Sequence, residues 1–433
     1  MYPNLYYVFK DFFGIEWNFL KVFNTFGFFV ALAFIGAAAV LSAELKRKQA
    51  KGLFVFTEQT IIVGGTVSIA ELVTNFVLGF ILGFKIIGVL TVPNALNDPQ
   101  AFILSSQGNL PLGIVVGIIF AGLKWWEKQK GKLAVSEKRI IRIWPQDRVG
   151  DMVIFAAVFG FAGAKVFNSL ENWNDFVANP IESLISFSGL TFYGGLICAA
   201  LALYFYSKKY KIPFVHLCDA NAPGLILAYA IGRIGCQVSG DGDWGILNSS
   251  LISNTQAKLI PATTDQFNAA LQANKGFYAQ QFATFDSVQS LHVKPFWGLP
   301  DWLFGYNFPH NVINEGVGLT GCDGNYCHYL PISVFPTSFY ETVVCLILFG
   351  LLWFLRTKID VAGRLFAVYL ILNGMERFII EKIRVNTKYD ILFHPTQAEI
   401  ISSLLILAGI LLYWYAPKLK ARSLGAAVGS DKK

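Results

Sequence analysis

Two arginines and a group of carboxylates occupy places in this chain where water should be scarce. Arg233 lies in Gly232-Arg233-Ile234-Gly235-Cys236-Gln237-Val238-Ser239-Gly240-Asp241-Gly242-Asp243-Trp244-Gly245, which closes a long apolar run. Ionisable groups at membrane depth are expensive to keep and by default mark functional sites. Arg377 and Glu381 stand four apart, so a helix places them on one face, where they pair or flank a common ligand. Tyr340 and Glu341 open a second apolar run, and Tyr193 with Gly194 and Gly195 opens a third. A guanidinium is always charged and offers a planar fork of donors to phosphate oxygens. Two of them can hold a phosphodiester and stabilise it as a leaving group, and neighbouring glycines let backbone approach the ligand closely. The set predicts a polar cavity for an anionic lipid headgroup.

The elements that must position these residues are membrane helices. With 54% hydrophobic and only 15% charged residues, the chain is too apolar for a soluble protein of its length. Nine windows approach or exceed the roughly 20 apolar residues a helix needs to span a bilayer. They lie near 24–43, 67–90, 110–126, 150–168, 189–207, 217–236, 336–355, 363–381 and 397–415. The first seventeen residues lack a basic start and a small-residue cleavage site, so no removable signal peptide is expected. Basic residues crowd every second connection: Lys46 to Lys51, Lys124 to Arg148, Lys208 to Lys211, Arg356 to Arg364, then Lys418, Lys420 and Arg422. The positive-inside rule makes those connections cytoplasmic, with the N-terminus outside and the C-terminus inside. These loops account for the net charge of +7, so no nucleic-acid partner is implied. The expected fold is all-α, one polytopic membrane helical bundle over 1–433. Arg233, Asp241, Asp243, Tyr193, Tyr340, Glu341, Arg377 and Glu381 then share its outer half.

Cys198, Cys218, Cys236 and Cys345 sit in apolar windows as small buried residues, whereas Cys322 and Cys327 lie in the long 246–335 segment. An oxidising exterior favours a disulfide between that last pair over a metal site, and no metal cluster or nucleotide loop is found. A segment of that length is expected to be an extracytoplasmic loop or small cap. Its stretch PFWGLPDWLFGYNFPHN suits a membrane interface. A weaker echo relates Glu71, Gly83 and Lys85 to Asp151, Gly163 and Lys165, as a duplicated helix hairpin would.

GRIGCQVSGDGDWG resembles the signature of the prolipoprotein diacylglyceryl transferases, whose pattern begins Gly-Arg-x-Gly and runs through two asparagines and an acidic residue. LTFYGGL at 190–196, PTSFYE at 336–341, ERFIIEKIR at 376–384 and Phe26-Gly27 are similar to further blocks of that family. The resemblance implies transfer of the diacylglyceryl group of phosphatidylglycerol to the lipobox cysteine of a prolipoprotein signal peptide, at the bacterial cytoplasmic (inner) membrane and without a cofactor. It implies that Arg233 and Arg377 are the essential arginines, Glu341 and Glu381 the recurring glutamates, and Asp219 a structural buried acid. Phe26, Gly194, Gly195, Cys236 and Ser239 fall at lipid-binding positions. The family core has seven spans, so 61–148 is expected to be an inserted helical hairpin with a basic cytoplasmic loop.

Several positions depart from the family pattern. Tyr193 stands for a histidine, Cys236 and Ser239 for asparagines, Asp241 for a glutamate, and Phe26 and Asn373 for tyrosines. A tyrosine, with an ordinary pKa near 10, is a poor base at neutral pH. The thiol proton is left to Asp241, Glu341, Glu381 or the departing phosphate, with Tyr193 as a hydrogen-bond donor to the lipid. The alternatives are a secondary transporter for an anionic solute and a lipid-binding protein without catalysis.

Overall fold

A computed structural model describes residues 1–430 except 94, 97–98, 186–190, 283, 323, 387–388 and 390–393, with backbone alone at 100, 182, 185 and 419–430. Lys420 and Arg422 therefore lie outside the described side chains. Nine long helices occur among the described residues: α1 (Thr25–Ala50), α2 (Ile69–Ile81), α3 (Leu110–Lys130), α4 (Val149–Glu171), α5 (Phe192–Lys209), α6 (Phe214–Ser239), α7 (Thr337–Leu355), α8 (Arg364–Glu381) and α9 (Gln397–Ser430). Seven of the helical segments are long and apolar enough to cross a membrane, and α5 and α8 are not among the seven. The protein is thus a helical multi-pass membrane protein. The all-α expectation needs correction, because two segments read as connections contain strands.

The chain forms two compact units. In the first, comprising 1–11, 24–44 and 215–433, α1 lies against α6, and a Cβ on Gly224 would stand 3.2 Å from the Ala37 carbonyl. Ala222, Ile226 and Ala230 of α6 form a core with Cys345 and Leu352 of α7 and Leu365 of α8. Helices α8 and α9 approach through Gly374 and Gly409, the kind of small-residue contact that brings membrane helices close. Asp219 of α6 accepts from the backbone N–H groups of Gly363 (2.8 Å) and Phe366 (2.9 Å), so it caps α8 from a neighbouring helix.

Between α6 and α7 the chain builds a cap. Strand β3 (Leu247–Ser253) pairs antiparallel with β4 (Leu259–Pro261), parallel with β5 (Ser290–Leu291) and antiparallel with β6 (Ile332–Val334). Helices Thr264–Ala273 and Lys275–Gln281 pack on this sheet, and Trp244, Leu247, Tyr278, Phe308 and Ile332 fill its core. Asn248 is fully buried yet satisfied, donating to the carbonyls of Val293 (2.8 Å) and Phe304 (3.0 Å). Cys322 and Cys327 are joined as a disulfide in this cap.

The second unit comprises 12–23 and 45–214. Helix α2 continues through a π turn, Leu82–Ile87, and packs on α3, where a Cβ on Gly83 would come within 2.5 Å of the Leu112 carbonyl. Helices α4 and α5 meet in the same manner at Gly163 and Gly194. The residues flanking the α2–α3 hairpin pair with each other as an antiparallel ribbon, β1 (Thr57–Val63) with β2 (Glu137–Ile143), in register from Thr57 opposite Ile143 to Val63 opposite Glu137. Their β-branched content, TEQTIIV and EKRIIRI, favours strands over a bare charged loop.

Candidate active site

Helix α6 carries Arg233 and Cys236 to its final turns and ends at Gly240, whose φ of +65° closes the helix with an N–H bond to the Cys236 carbonyl. Gly242 is also left-handed, so the chain doubles back and delivers Asp243 to Arg233. The loop is pinned to the start of α7, because the Asp243 carbonyl accepts from the hydroxyls of Ser338 (2.7 Å) and Thr337 (3.3 Å). Gly245 then runs between two other backbone segments: a Cβ there would lie 2.7 Å from the Ile383 carbonyl and 2.8 Å from that of Phe335. Only glycine permits this approach, and its bridge to Arg384 brings that arginine to the same place.

Glu341 lies at the centre of the resulting network and is 0% exposed. Its carboxylate meets Arg233 Nε at 3.0 Å, Arg377 Nη1 at 3.1 Å and Arg384 Nη1 at 3.3 Å, and it accepts from the Tyr229 hydroxyl at 2.9 Å. Asp243 bridges Arg233 and Arg384, and Glu381 takes the other fork of Arg377 at 2.9 Å. Glu381 also accepts from Asn386 (2.6 Å) and Thr396 (2.7 Å). Three guanidiniums and three carboxylates thus form one charge-balanced cluster, the arrangement buried charges require. The Arg377 side chain remains 23% exposed and that of Arg233 17%. An incoming anion can therefore reach them and compete with the resident carboxylates.

The structure brings Arg233, Arg377, Glu341 and Glu381 into this single network. Asp241 stands at its edge, where its carboxylate accepts from the Asp243 N–H at 3.3 Å. Burial raises its pKa above the ordinary carboxylate value, opposed by hydrogen bonding with Cys236 and by the Arg233 charge. Cys236 itself lies 3.8 Å from Arg233 Nη1. Ser239 is buried with its hydroxyl turned to the Cys236 carbonyl, and Phe26 packs beside Gly235.

Tyr193, Gly194 and Gly195 belong to the second unit. Tyr193 meets Phe192 edge-on, while a Cβ on Gly194 would strike Phe167 at 2.4 Å and one on Gly195 would come within 3.1 Å of the Gly160 carbonyl. What the structure shows for the two glycines is close helix packing. Two partners in the cluster, Arg384 and Tyr229, were not assigned from sequence, and Asp243 was expected at this level but without a role of its own. Arg384 follows Arg377 and Glu381 at seven and three residues, a spacing that extends one helical face, and this signal could have found it.

Residues 111–415 match the sequence family described as prolipoprotein diacylglyceryl transferase. A phosphatidylglycerol–prolipoprotein diacylglyceryl transferase of Clostridium novyi is 28% identical over 281 residues, 65% of this chain and 83% of the relative. Proteins of the same description from Dehalococcoides mccartyi (24% identical, 73% of this chain, 93% of the relative) and Enterococcus faecalis (26%, 64% and 79%) are also similar.

Proposed function

Since the chain belongs to the prolipoprotein diacylglyceryl transferase family, we propose a mechanism for its reaction in which the arginine cluster binds and activates the lipid. The protein is a transferase that moves a diacylglyceryl group from phosphatidylglycerol to a prolipoprotein. The observation that carries the mechanism is the convergence of Arg233, Arg377 and Arg384 on one buried carboxylate, Glu341, with the Arg233 and Arg377 side chains still partly exposed. A phosphodiester entering there would exchange carboxylate contacts for phosphate contacts, and the preset donors would stabilise charge growing on the leaving oxygen.

In the step itself, the lipobox cysteine sulfur, as thiolate, attacks the glycerol carbon bearing the phosphate. The carbon–oxygen bond breaks, its electron pair stays on the phosphate oxygen, and a thioether and glycerol phosphate result. Glu341 and Glu381 already accept from several donors each. Asp241 is less engaged, accepting from the Asp243 N–H at 3.3 Å and bonding with Cys236, and burial raises its pKa above the ordinary carboxylate value. It is the proton acceptor in this reading, with Tyr193 donating to the lipid and the transporter reading set aside. The bundle is read as nine spans with the N-terminus outside, in a bacterial cytoplasmic membrane. The paired ribbon closing α2–α3 supports 61–148 as an inserted hairpin.

Purified protein incubated with labelled phosphatidylglycerol and a lipobox peptide should yield labelled thioether and free glycerol phosphate; lipid binding or uptake without product would refute the mechanism. The acid limb of the pH–rate profile should lie above the ordinary carboxylate range, since a base acts only after losing its proton, and Asp241→Asn should abolish that limb. A profile unchanged in Asp241→Asn would remove this residue from the proton path.

A further inference from the structure

We propose that residues 296–302 of the cap are a membrane foot, resting in the headgroup region of the bilayer beside the outer end of α7. The segment Phe296-Trp297-Gly298-Leu299-Pro300 has no charged residue, and its tip projects outward: Trp297 is 89% exposed, and Phe296, Leu299 and Trp302 are exposed as well. The tip is built rather than frayed. Trp297 (φ +57°) and Gly298 (φ +68°) make a tight left-handed turn, closed by the Leu299 N–H on the Phe296 carbonyl at 3.2 Å. A tryptophan rarely adopts that backbone, and such placements gather at sites with a role. At its root Phe296 packs edge-on against buried Phe304, ring centres 4.8 Å apart.

The position of the foot identifies its partner. Trp302 stacks edge-on against Phe339 at 5.1 Å, and the Tyr340 hydroxyl donates to the Leu303 carbonyl. Both partners lie in the first turn of α7, which begins a membrane-crossing segment. Below Phe339, at four, seven and eight residues, come Val343, Leu346 and Ile347, all exposed. That stripe is the face α7 turns to lipid. The foot therefore continues the lipid-facing surface upward and projects over bilayer. Tryptophan, with an apolar ring and one N–H, favours that level of a membrane. Tyr340 holds the foot while the next residue, Glu341, holds the arginines, so the foot would set the height of the cap above the site. This inference requires only that α7 crosses a membrane and stands apart from the reaction mechanism.

The test uses the full chain in phosphatidylglycerol-containing nanodiscs, spin-labelled at Trp297→Cys or Leu299→Cys, with Asn268→Cys on the exposed side of helix Thr264–Ala273 as the aqueous reference. Labelled parent protein supplies the background from native cysteines. At 297 and 299 the label should collide more with oxygen than with a water-soluble nickel chelate, and the order should reverse at 268. Chelate-dominated collisions at both foot positions, as at 268, would overturn the proposal. So would chelate-dominated collisions that become oxygen-dominated only when a lipobox peptide is added, which would make the foot a peptide-docking surface. Because Trp297 is almost wholly exposed, its replacement leaves the cap core intact, and an unchanged thermal transition in each variant verifies this.

Discussion

The two units of this protein both take cations into helices that run through apolar surroundings, and they satisfy them in opposite ways. In the second unit Lys85 donates to the carbonyls of Phe102 (3.3 Å), Ser105 and Gln107 (2.6 Å), and Lys165 to that of Ser183 (3.1 Å). Each lysine sits two residues after a glycine at a close helix crossing and caps the segment that leads to the next long helix. Glu71 pairs with Lys128 on α3 at 2.9 Å, and Asp151 accepts from Tyr206 on α5 at 3.1 Å, so the two hairpins share their devices as well as their spacing. Around Glu341 in the first unit the cations are arginines, their partners are carboxylates, and the network is continuous. Backbone carbonyls end a lysine's role at the fold. In the proposed mechanism, carboxylates holding the forks of Arg233 and Arg377 leave exchangeable anion sites, so the partner chemistry, rather than depth in the membrane, would separate these working cations from structural ones.

The sharpest way to break this comparison is to remove the centre of the network. Glu341→Gln keeps the volume and leaves Arg233, Arg377 and Arg384 short of a buried counter-charge. Losing one partner of a buried ion network costs about 3–5 kcal/mol. The thermal transition of Glu341→Gln in detergent should fall accordingly, and transferase activity should be lost. An unchanged transition would mean that water already compensates the arginines and that the network is not a buried one.

The next effect in size concerns the forks. Arg233→Lys and Arg377→Lys retain charge but not two-pronged geometry, and turnover should drop by about 10²-fold or more while folding is largely spared. Full turnover at matched expression would reduce both residues to helix-end anchors, like the lysines of the other unit. Tyr193→Phe tests the proposed donor role of that hydroxyl. A hydrogen-bond donor to the lipid should cost about 1–3 kcal/mol of transition-state stabilisation, read from kcat/KM, whereas an obligatory base would cost far more.

How legible these regions were in sequence follows from their physics. Long apolar windows and alternating basic loops carry their own signal, and α1, α6 and α7 begin and end within a few residues of expectation, apart from extensions such as the last turns of α1. Arg233 and Arg377 stood out because charge is conspicuous among apolar residues. Asp243 stood out with Asp241 as one of two carboxylates closing the same run, but its partner Arg384 did not, because it lies just past a helix end, where charged residues are ordinary. Their partnership depends on the Gly240–Gly245 turn and the Gly245–Arg384 bridge, contacts between segments about 140 residues apart. The cap sheet was hidden for a related reason. Strand β3 contains Asn248, Ser249 and Ser250, so alternation of apolar and polar residues fails, and buried side-chain bonds to other segments replace it. The ribbon β1–β2 had β-branched residues in plain view, but its charges drew the reading toward a loop.

The smallest predicted effect is the one that tests the structural side of the comparison. Lys85→Met keeps the length and apolar stem of the side chain and removes only the ammonium, leaving the carbonyls of Phe102, Ser105 and Gln107 without that donor. Because Lys85 is only partly buried, water can replace part of what is lost. The cost should lie at the low end of the range for an unsatisfied polar group, about 1 kcal/mol. It should be seen as a modest shift of the thermal transition, with kcat and KM for phosphatidylglycerol unchanged. Should Lys85→Met instead reduce turnover as far as Arg377→Lys, the hairpin lysine would be part of lipid handling, and the division between carbonyl-held and carboxylate-held cations would fail.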